Sequence, residues 1–245
     1  MLFRSQAIVK ALFNDLAFRD RVGLAGVNSI NWARIMAQTV YYVTAALSLG
    51  APGRAASFCV PTGNFGDIFA GFVAKRMGIP VDRLLIATNV NDILDRTLKT
   101  GRYEQRGVKA STSPSMDIQI SSNFERLLFE VHGRDPNAVR RMMASLAQSG
   151  SFTIDARELE QIRHEFDSGA TDEAETAAAI CQTLADTGEL LDPHTAVGYA
   201  VARKTEPSSS PMVTLATAHP AKFPDAVEKA CGVRPGLPPR LDYLL

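Results

Sequence analysis

The chain has 245 residues, 46% hydrophobic and 21% charged, which is enough to bury a core as one large α/β unit or two small ones. Its 26 Lys and Arg balance its 26 Asp and Glu, so it lacks the basic excess of a nucleic-acid or anionic-membrane binder. No apolar run approaches the roughly 20 residues of a membrane-spanning helix, and MLFRSQAIVKALF does not read as a signal peptide. Cys59, Cys181 and Cys231 are far apart and odd in number, which predicts small buried hydrophobes in a reducing cytoplasm rather than a disulfide or metal pattern.

From the amino terminus, Ile8, Val9, Leu12, Phe13 and Leu16 share one face of a helix over Gln6 to Arg21. A short strand is expected at Val22 to Val27. Ser29 then caps a helix from Asn31 to Leu49, with Trp32, Ile35, Met36, Val40 and Val43 inward. Ser57 to Val60 is apolar without alternation, as a central parallel strand would be. A glycine-rich turn leads from it into a helix over Ile68 to Met77 that Gly78 closes, and Arg83 to Thr88 is the next strand. That order is a βαβ unit and predicts a parallel sheet flanked by helices. Residues 101–120 are polar and turn-rich and read as a long loop. Helical patterns fill Ser122 to about Lys204, with starts at Thr153-Ile-Asp-Ala and Asp192-Pro193. Glu206 to Pro211 is a linker, Met212 to Ala216 a last strand and Ala221 to Ala230 a last helix. The proline-rich tail is expected to hold no continuing element. The expected division is an α/β core over 1–100, a mostly helical insertion over 101–205, and a return strand and helix over 206–245.

Three segments carry candidate chemistry. In Val60-Pro-Thr-Gly-Asn-Phe-Gly-Asp67 a buried strand runs into a glycine turn that opens a helix, which gathers backbone N–H groups and the positive end of a helix dipole at one point. Gly63 and Gly66 allow close backbone approach and positive φ. The spacing fits a phosphate site built on backbone amides and Thr62, and equally a plain capped turn; it is neither a P-loop nor a dinucleotide fingerprint. Thr214-Leu-Ala-Thr-Ala-His-Pro-Ala-Lys222 lies at the end of the last strand and could face the same site. In it, Thr217 suits a hydrogen bond to a ring nitrogen, and His219 reads as a general base or, in preference, as a turn-shaping residue. Asn28-Ser-Ile-Asn-Trp-Ala-Arg34 is rich in donors at a strand–helix junction, which suits a carboxylate or phosphate, or a helix cap with a surface ion pair. His132, His164 and His194 show no ligand spacing and read as structural or exposed.

The blocks NSINWARI, VPTGNFGDIFAGFVAKRMG, ATNVND and TAHPAKF, in this order, resemble threonine synthases of the longer bacterial and fungal type from Gln6 to about Gly236. The resemblance implies the tryptophan synthase β-like fold (fold type II) of pyridoxal-phosphate (PLP) enzymes. It also implies conversion of O-phospho-L-homoserine and water into L-threonine and phosphate. Thr62, Gly63, Asn64, Phe65, Gly66 and Asp67 then match the loop that cradles the cofactor phosphate, and Thr217 the hydroxyl that meets the pyridine nitrogen. Asn28, Ser29, Asn31 and Arg34 sit where the family holds substrate. Dehydratases and tryptophan synthase β chains share the fold but have glycine-richer phosphate loops and lack TAHPAKF.

The chain departs from the family in one respect. The family's Schiff-base lysine lies in an amino-terminal half, in a context like Phe-Lys-Asp, and Lys10, Lys75, Lys99, Lys109, Lys204, Lys222 and Lys229 all lack that context. MLFRS and LDYLL also differ from the family at those places. The resemblance therefore implies a truncated carboxy-terminal part without the catalytic lysine. It would be either an incomplete enzyme, or a non-catalytic phosphate-binding remnant or the partner of a separately encoded amino-terminal half.

Overall fold

The computed structural model describes residue 8, residues 11–26 and residues 28–244. Its centre is a parallel sheet of four strands in the order β5-β2-β1-β6. These are β1 (Ala56–Pro61), β2 (Val81–Thr88), β5 (Phe166–Ala170) and β6 (Met212–Thr214). A separate antiparallel pair joins β3 (Arg102–Glu104) and β4 (Ser151–Thr153).

Both faces of the sheet are covered, which explains the unbroken apolar run in β1. Phe58 and Val60 of β1 and Leu84 and Ile86 of β2 point to one core, with Ile68 and Phe69 of α3 (Gly66–Arg76). Cys59, Leu85 and Ala87 alternate to the other face, against Val197 and Val201 of α9 (Pro193–Lys204). Before the sheet stand α1 (Leu16–Val22) and α2 (Trp32–Ser48), and α2 packs on α3. The middle of the chain supplies α4 (Ile93–Thr100), α5 (Phe124–Val131), α6 (Pro136–Ser149), α7 (Ala156–Glu165) and α8 (Glu173–Thr187), and α10 (Pro224–Cys231) closes against α8. Among the described residues, no helix is long and apolar enough to cross a membrane.

The parallel βαβ unit follows the sequence expectation, and several details do not. The expected strand over Val22 to Val27 is not formed. Val22 ends α1, Gly23 takes a left-handed cap at φ 61°, and residues 24–26 are irregular; Val27 lies outside the described residues. Asn31, not Ser29, caps α2, accepting from the Ala33 N–H at 2.9 Å. The face of α2 turned inward is Ile35, Thr39, Tyr42 and Ala46, whereas Trp32, Met36 and Val40 are exposed. The first helix breaks at Asp15, which caps α1 by accepting from the Phe18 N–H at 3.0 Å; Gln6, Ala7, Val9 and Lys10 lie outside the described residues.

Residues 166–170 form a strand of the main sheet, inside the stretch expected to be a helical insertion. Phe-Asp-Ser-Gly-Ala carries no strand periodicity of its own; pairing with Leu84 to Thr88 and burial of Phe166 impose it. Pro224 delays the last helix, because a residue before proline avoids helical angles: Phe223 sits at φ −132°, ψ 50°, and only a short 3₁₀ turn, Pro220–Lys222, precedes it. The tail forms a 3₁₀ turn over Pro239–Leu244.

Gly71 of α3 sets the distance between layers. A Cβ there would lie 2.5 Å from Cε1 of Tyr42 and 2.9 Å from Cδ2 of Leu84. Both neighbours are fully buried. Overpacking outweighs the gain in helix propensity, so Gly71→Ala lowers stability by about 1–3 kcal/mol. Urea denaturation checks this, and an unchanged midpoint would show that the layers can separate freely.

Candidate active site

The site grows from the carboxyl end of β1. After β1 the chain turns up into α3 on one face of the sheet, while after β6 it turns towards α10 on the other. The two loops part, and ligands of open α/β sheets sit where connections diverge in this way. Here the divergence opens a cavity of about 510 Å³ lined by both loops, including Gly63 to Ile68 and Leu215 to Ala218.

At the top of β1 the Thr62 N–H donates to the Ala87 carbonyl at 2.8 Å and its hydroxyl to the Val60 carbonyl at 2.6 Å. Phe65, and neither Gly63 nor Gly66, takes the left-handed region, at φ 63°, a rare conformation for a residue with a side chain. The ring makes it tenable: it is 1% exposed, edge-on to Phe124 at 5.3 Å and tilted against Phe166 at 5.6 Å. Phe65 is the cap position of α3 and gives no side-chain hydrogen bond. The leading N–H groups of α3 are thus left for a ligand, and the dipole there favours an anion.

A strap over residues 111–123 walls this turn. The Ser121 hydroxyl donates to the Gly63 carbonyl at 2.7 Å. Asn123 donates from its backbone to the Asn64 carbonyl at 3.0 Å, and from its amide to the Asn64 carbonyl at 3.0 Å and the Ser29 carbonyl at 2.7 Å. A Cβ on Gly63 would lie 2.6 Å from the Ser115 carbonyl oxygen, so glycine is needed for close approach. The Asn89 and Asn91 side chains of ATNVND anchor the strap: each donates to Asp117 Oδ1 at 2.9 Å, and Asn89 also to Ser113 at 2.9 Å.

Asp67, in the first turn of α3, is half-buried beside Tyr42, whose hydroxyl donates to the Asp67 carbonyl at 2.8 Å and to its carboxylate at 3.3 Å. Burial pushes the Asp67 carboxyl up to about 6, against a smaller lowering by the Tyr42 hydrogen bond. On the far side, His194 is 4% exposed and its ring packs on Phe223 at 4.8 Å. Its Nε2 accepts from the Ser115 N–H at 3.2 Å, which leaves Nδ1 to donate to Asp192 at 3.1 Å. Burial works to raise the Asp192 carboxyl, but hydrogen bonds from His194 and Thr195 hold it below its usual value. The Thr195 hydroxyl, bonded to Asp192, accepts from the Thr217 N–H at 3.2 Å.

The cavity therefore gathers Thr62 to Asp67, Thr217, Ser29 and Arg34. Arg34 forms no ion pair among the described residues. Asn28 and Asn31 serve the local fold: Asn28 accepts from the Ile30 N–H at 3.1 Å, and Asn31, besides its cap, donates to the Gly26 carbonyl at 2.7 Å. His219 is exposed and caps the Pro220–Lys222 turn, accepting from the Ala221 N–H at 3.2 Å. Lys222 is the one lysine lining the cavity among the described residues. A larger concavity of about 1090 Å³, rimmed by Trp32, Phe72, Met77 and Phe129, lies elsewhere and is mainly apolar.

A sequence profile described as "Threonine synthase, C-terminal" matches residues 195–245. The threonine synthase of Pseudomonas aeruginosa is 53% identical over 238 residues, covering 96% of this chain and 51% of that protein. The crystal structure of PLP-bound threonine synthase from Brucella melitensis superposes with a TM-score of 0.95 at 66% identity, over 98% of this chain and 52% of that one. The yeast threonine synthase structure superposes at 0.83 with 43% identity, over 92% and 48%. The chain corresponds to the carboxy-terminal half of the threonine synthases. It spans about half the length of the curated relatives it matches. Its fold is the matching part of the fold type II architecture of PLP enzymes, shared at 13% identity and a TM-score of 0.54 with a threonine deaminase.

His194, expected to be structural or exposed, is structural and buried, whereas Ser115 and Asn123 carry no motif signal of their own. Asp-Pro-His-Thr at 192–195 signals a helix start, and Asp192 does cap α9. Nothing local shows that His194 meets Ser115, 79 residues away.

The Asp67 carboxyl binds its proton more tightly in the folded chain, at about 6, than the usual 3.8. Its contribution to stability is therefore full below about pH 4 and is lost as pH rises towards 6, by up to about 3 kcal/mol. Asp67→Asn removes this loss, so at pH 7.5 the variant is more stable than the parent and its stability varies less between pH 4 and 6. Urea titrations at several pH values test this, and identical pH profiles for the two proteins would refute the assignment.

Proposed function

We propose that this chain is the cofactor-phosphate and substrate-anchoring half of a threonine synthase, acting with PLP on O-phospho-L-homoserine. The observation that carries this reading is the uncapped first turn of α3 at Phe65, held open beneath a strap that tolerates only glycine at position 63. The chemistry of the site suits the cofactor: N–H groups at a helix start for a phosphate, and a hydroxyl at the end of β6 for a neutral ring nitrogen. PLP supplies, when bound, an electron sink for charge that develops next to the substrate amine.

The chain's own residues divide the remaining work. Backbone N–H groups of residues 63–67 hold the phosphate, with Thr62 at its base. The Thr217 hydroxyl meets the ring nitrogen without forcing its protonation, because a neutral partner has no charge to offset. Ser29 and Arg34 hold an anionic group of the substrate, placed by Asn28 and Asn31. A lysine amine that moves protons at the substrate carbons is absent from the family's context in this chain, so turnover requires the other half of the fold. We read residues 1–100 as the phosphate-binding core and 206–245 as the return to it, with 101–205 between them supplying both the strap and β5. Three free cysteines fit a reducing cytoplasm.

Cofactor titration followed by absorbance tests the reading. PLP binds reversibly, pyridoxal without its phosphate binds at least about tenfold more weakly, and Gly63→Ala weakens PLP by a similar factor. After borohydride reduction, intact mass shows no stoichiometric adduct. Equal binding of PLP and pyridoxal would overturn the phosphate assignment. A single adduct on Lys222 would overturn the claim that the amine comes from elsewhere.

A further inference from the structure

The loop that carries Thr217 leaves the sheet with few ties. Leu215 still extends the ladder, its N–H donating to the Cys59 carbonyl at 3.0 Å. The Pro220–Lys222 turn further on is closed by bonds within itself, through His219. Between the two, one hydrogen bond reaches the rest of the protein among the described residues: the Thr217 N–H donates to the Thr195 hydroxyl at 3.2 Å. Thr217 is exposed, so packing does not fix where its own hydroxyl points. That direction depends on how the backbone at 217 is held.

Thr195 is a well-placed anchor for it. It is 5% exposed, in the first turn of α9, and does not itself line the cavity. α9 lies close on the sheet at Gly198, where a Cβ would meet Cγ of Pro61 and Cγ2 of Thr214, each at 3.0 Å. The Cys59 thiol also donates to the Gly198 carbonyl at 3.1 Å. The position of Thr195 relative to the carboxyl ends of β1 and β6 is thereby set. Its hydrogen-bond direction is set as well. A carboxylate only accepts, so Thr195 donates its proton to Asp192 and keeps acceptor capacity alone for the Thr217 N–H. Asp192 is held in turn by His194, whose backbone N–H and Nδ1 reach Oδ1 at 2.8 and 3.1 Å.

We propose that Thr195, oriented by Asp192, is a positioning residue for the cofactor ring: by holding the Thr217 backbone it aims the Thr217 hydroxyl at the pyridine nitrogen, and so lets the site tell a ring nitrogen from a C–H. The inference rests on the reading of Thr217 as the partner of that nitrogen. The phosphate end of the site, at residues 63–67, lies on a different loop, so the two ends can be probed separately.

The test compares the dissociation constants of three ligands on this chain: PLP, its carbocyclic analogue with C–H in place of the ring nitrogen, and inorganic phosphate. The parent is expected to prefer PLP over the analogue by about fivefold, the worth of one hydrogen bond. Thr195→Val keeps the side-chain shape and removes the hydroxyl. It is expected to bring that preference within about twofold while phosphate binding stays unchanged, and Thr195→Ser restores the preference. Amide hydrogen exchange needs no ligand: Thr217 is expected to exchange at least about tenfold faster in Thr195→Val, with the Ser115 rate unaltered. A preference that survives Thr195→Val, equal weakening of all three ligands, or an unchanged Thr217 rate would overturn the proposal. Equal binding of PLP and the analogue by the parent would instead overturn the Thr217 assignment, and this inference with it. A parent chain that binds neither PLP nor phosphate would overturn the cofactor reading as a whole.

Discussion

The buried amide of Asn123 joins the two halves of the site. It is 1% exposed and donates to the carbonyls of Ser29 and Asn64, while its own oxygen accepts from Arg126 at 3.1 Å. A buried amide must satisfy each of its groups, so its position is fixed by three segments at once. That fixes the Ser29 turn relative to the Asn64 turn, although they come from different connections. The placement of Arg34 and the entry angle of α3 both follow from this knot.

The same logic holds on the opposite wall. Asp192 caps α9, orients the His194 ring and holds the Thr195 hydroxyl, and these in turn receive the N–H groups of Ser115 and Thr217. One buried carboxylate therefore sets both the strap and the loop after β6. The first turn of α3 is left open because Thr62, Ser121, Asn123 and His194 around it are already engaged with other partners. A cavity with few free groups is selective for a ligand that meets those few.

Polar knots of this kind fix loops that come from different connections. The walls made by this chain are tied together by these bonds, while Trp32, Met36, Val40 and Leu47 of α2 are exposed on another face of the helix from Arg34, which lines the cavity.

Much was legible in the residues alone. The unalternating run Ser-Phe-Cys-Val requires a strand covered on both faces, and Pro-Thr-Gly-Asn-Phe-Gly after it requires a turn into a helix, so the βαβ unit and the turn at its strand end could be located without coordinates. Asp-Pro at 192–193 marked the start of α9 for the same local reason. Tertiary structure alone decided what depends on distant contacts. Phe166-Asp-Ser-Gly-Ala became a strand because Leu84 to Thr88 offered it a ladder. ATNVND proved to anchor the strap, because its two asparagines meet Asp117 across a loop. Which of two adjacent apolar faces of α2 was buried also lay beyond the sequence, since periodicity reports that a face is apolar and not what lies against it.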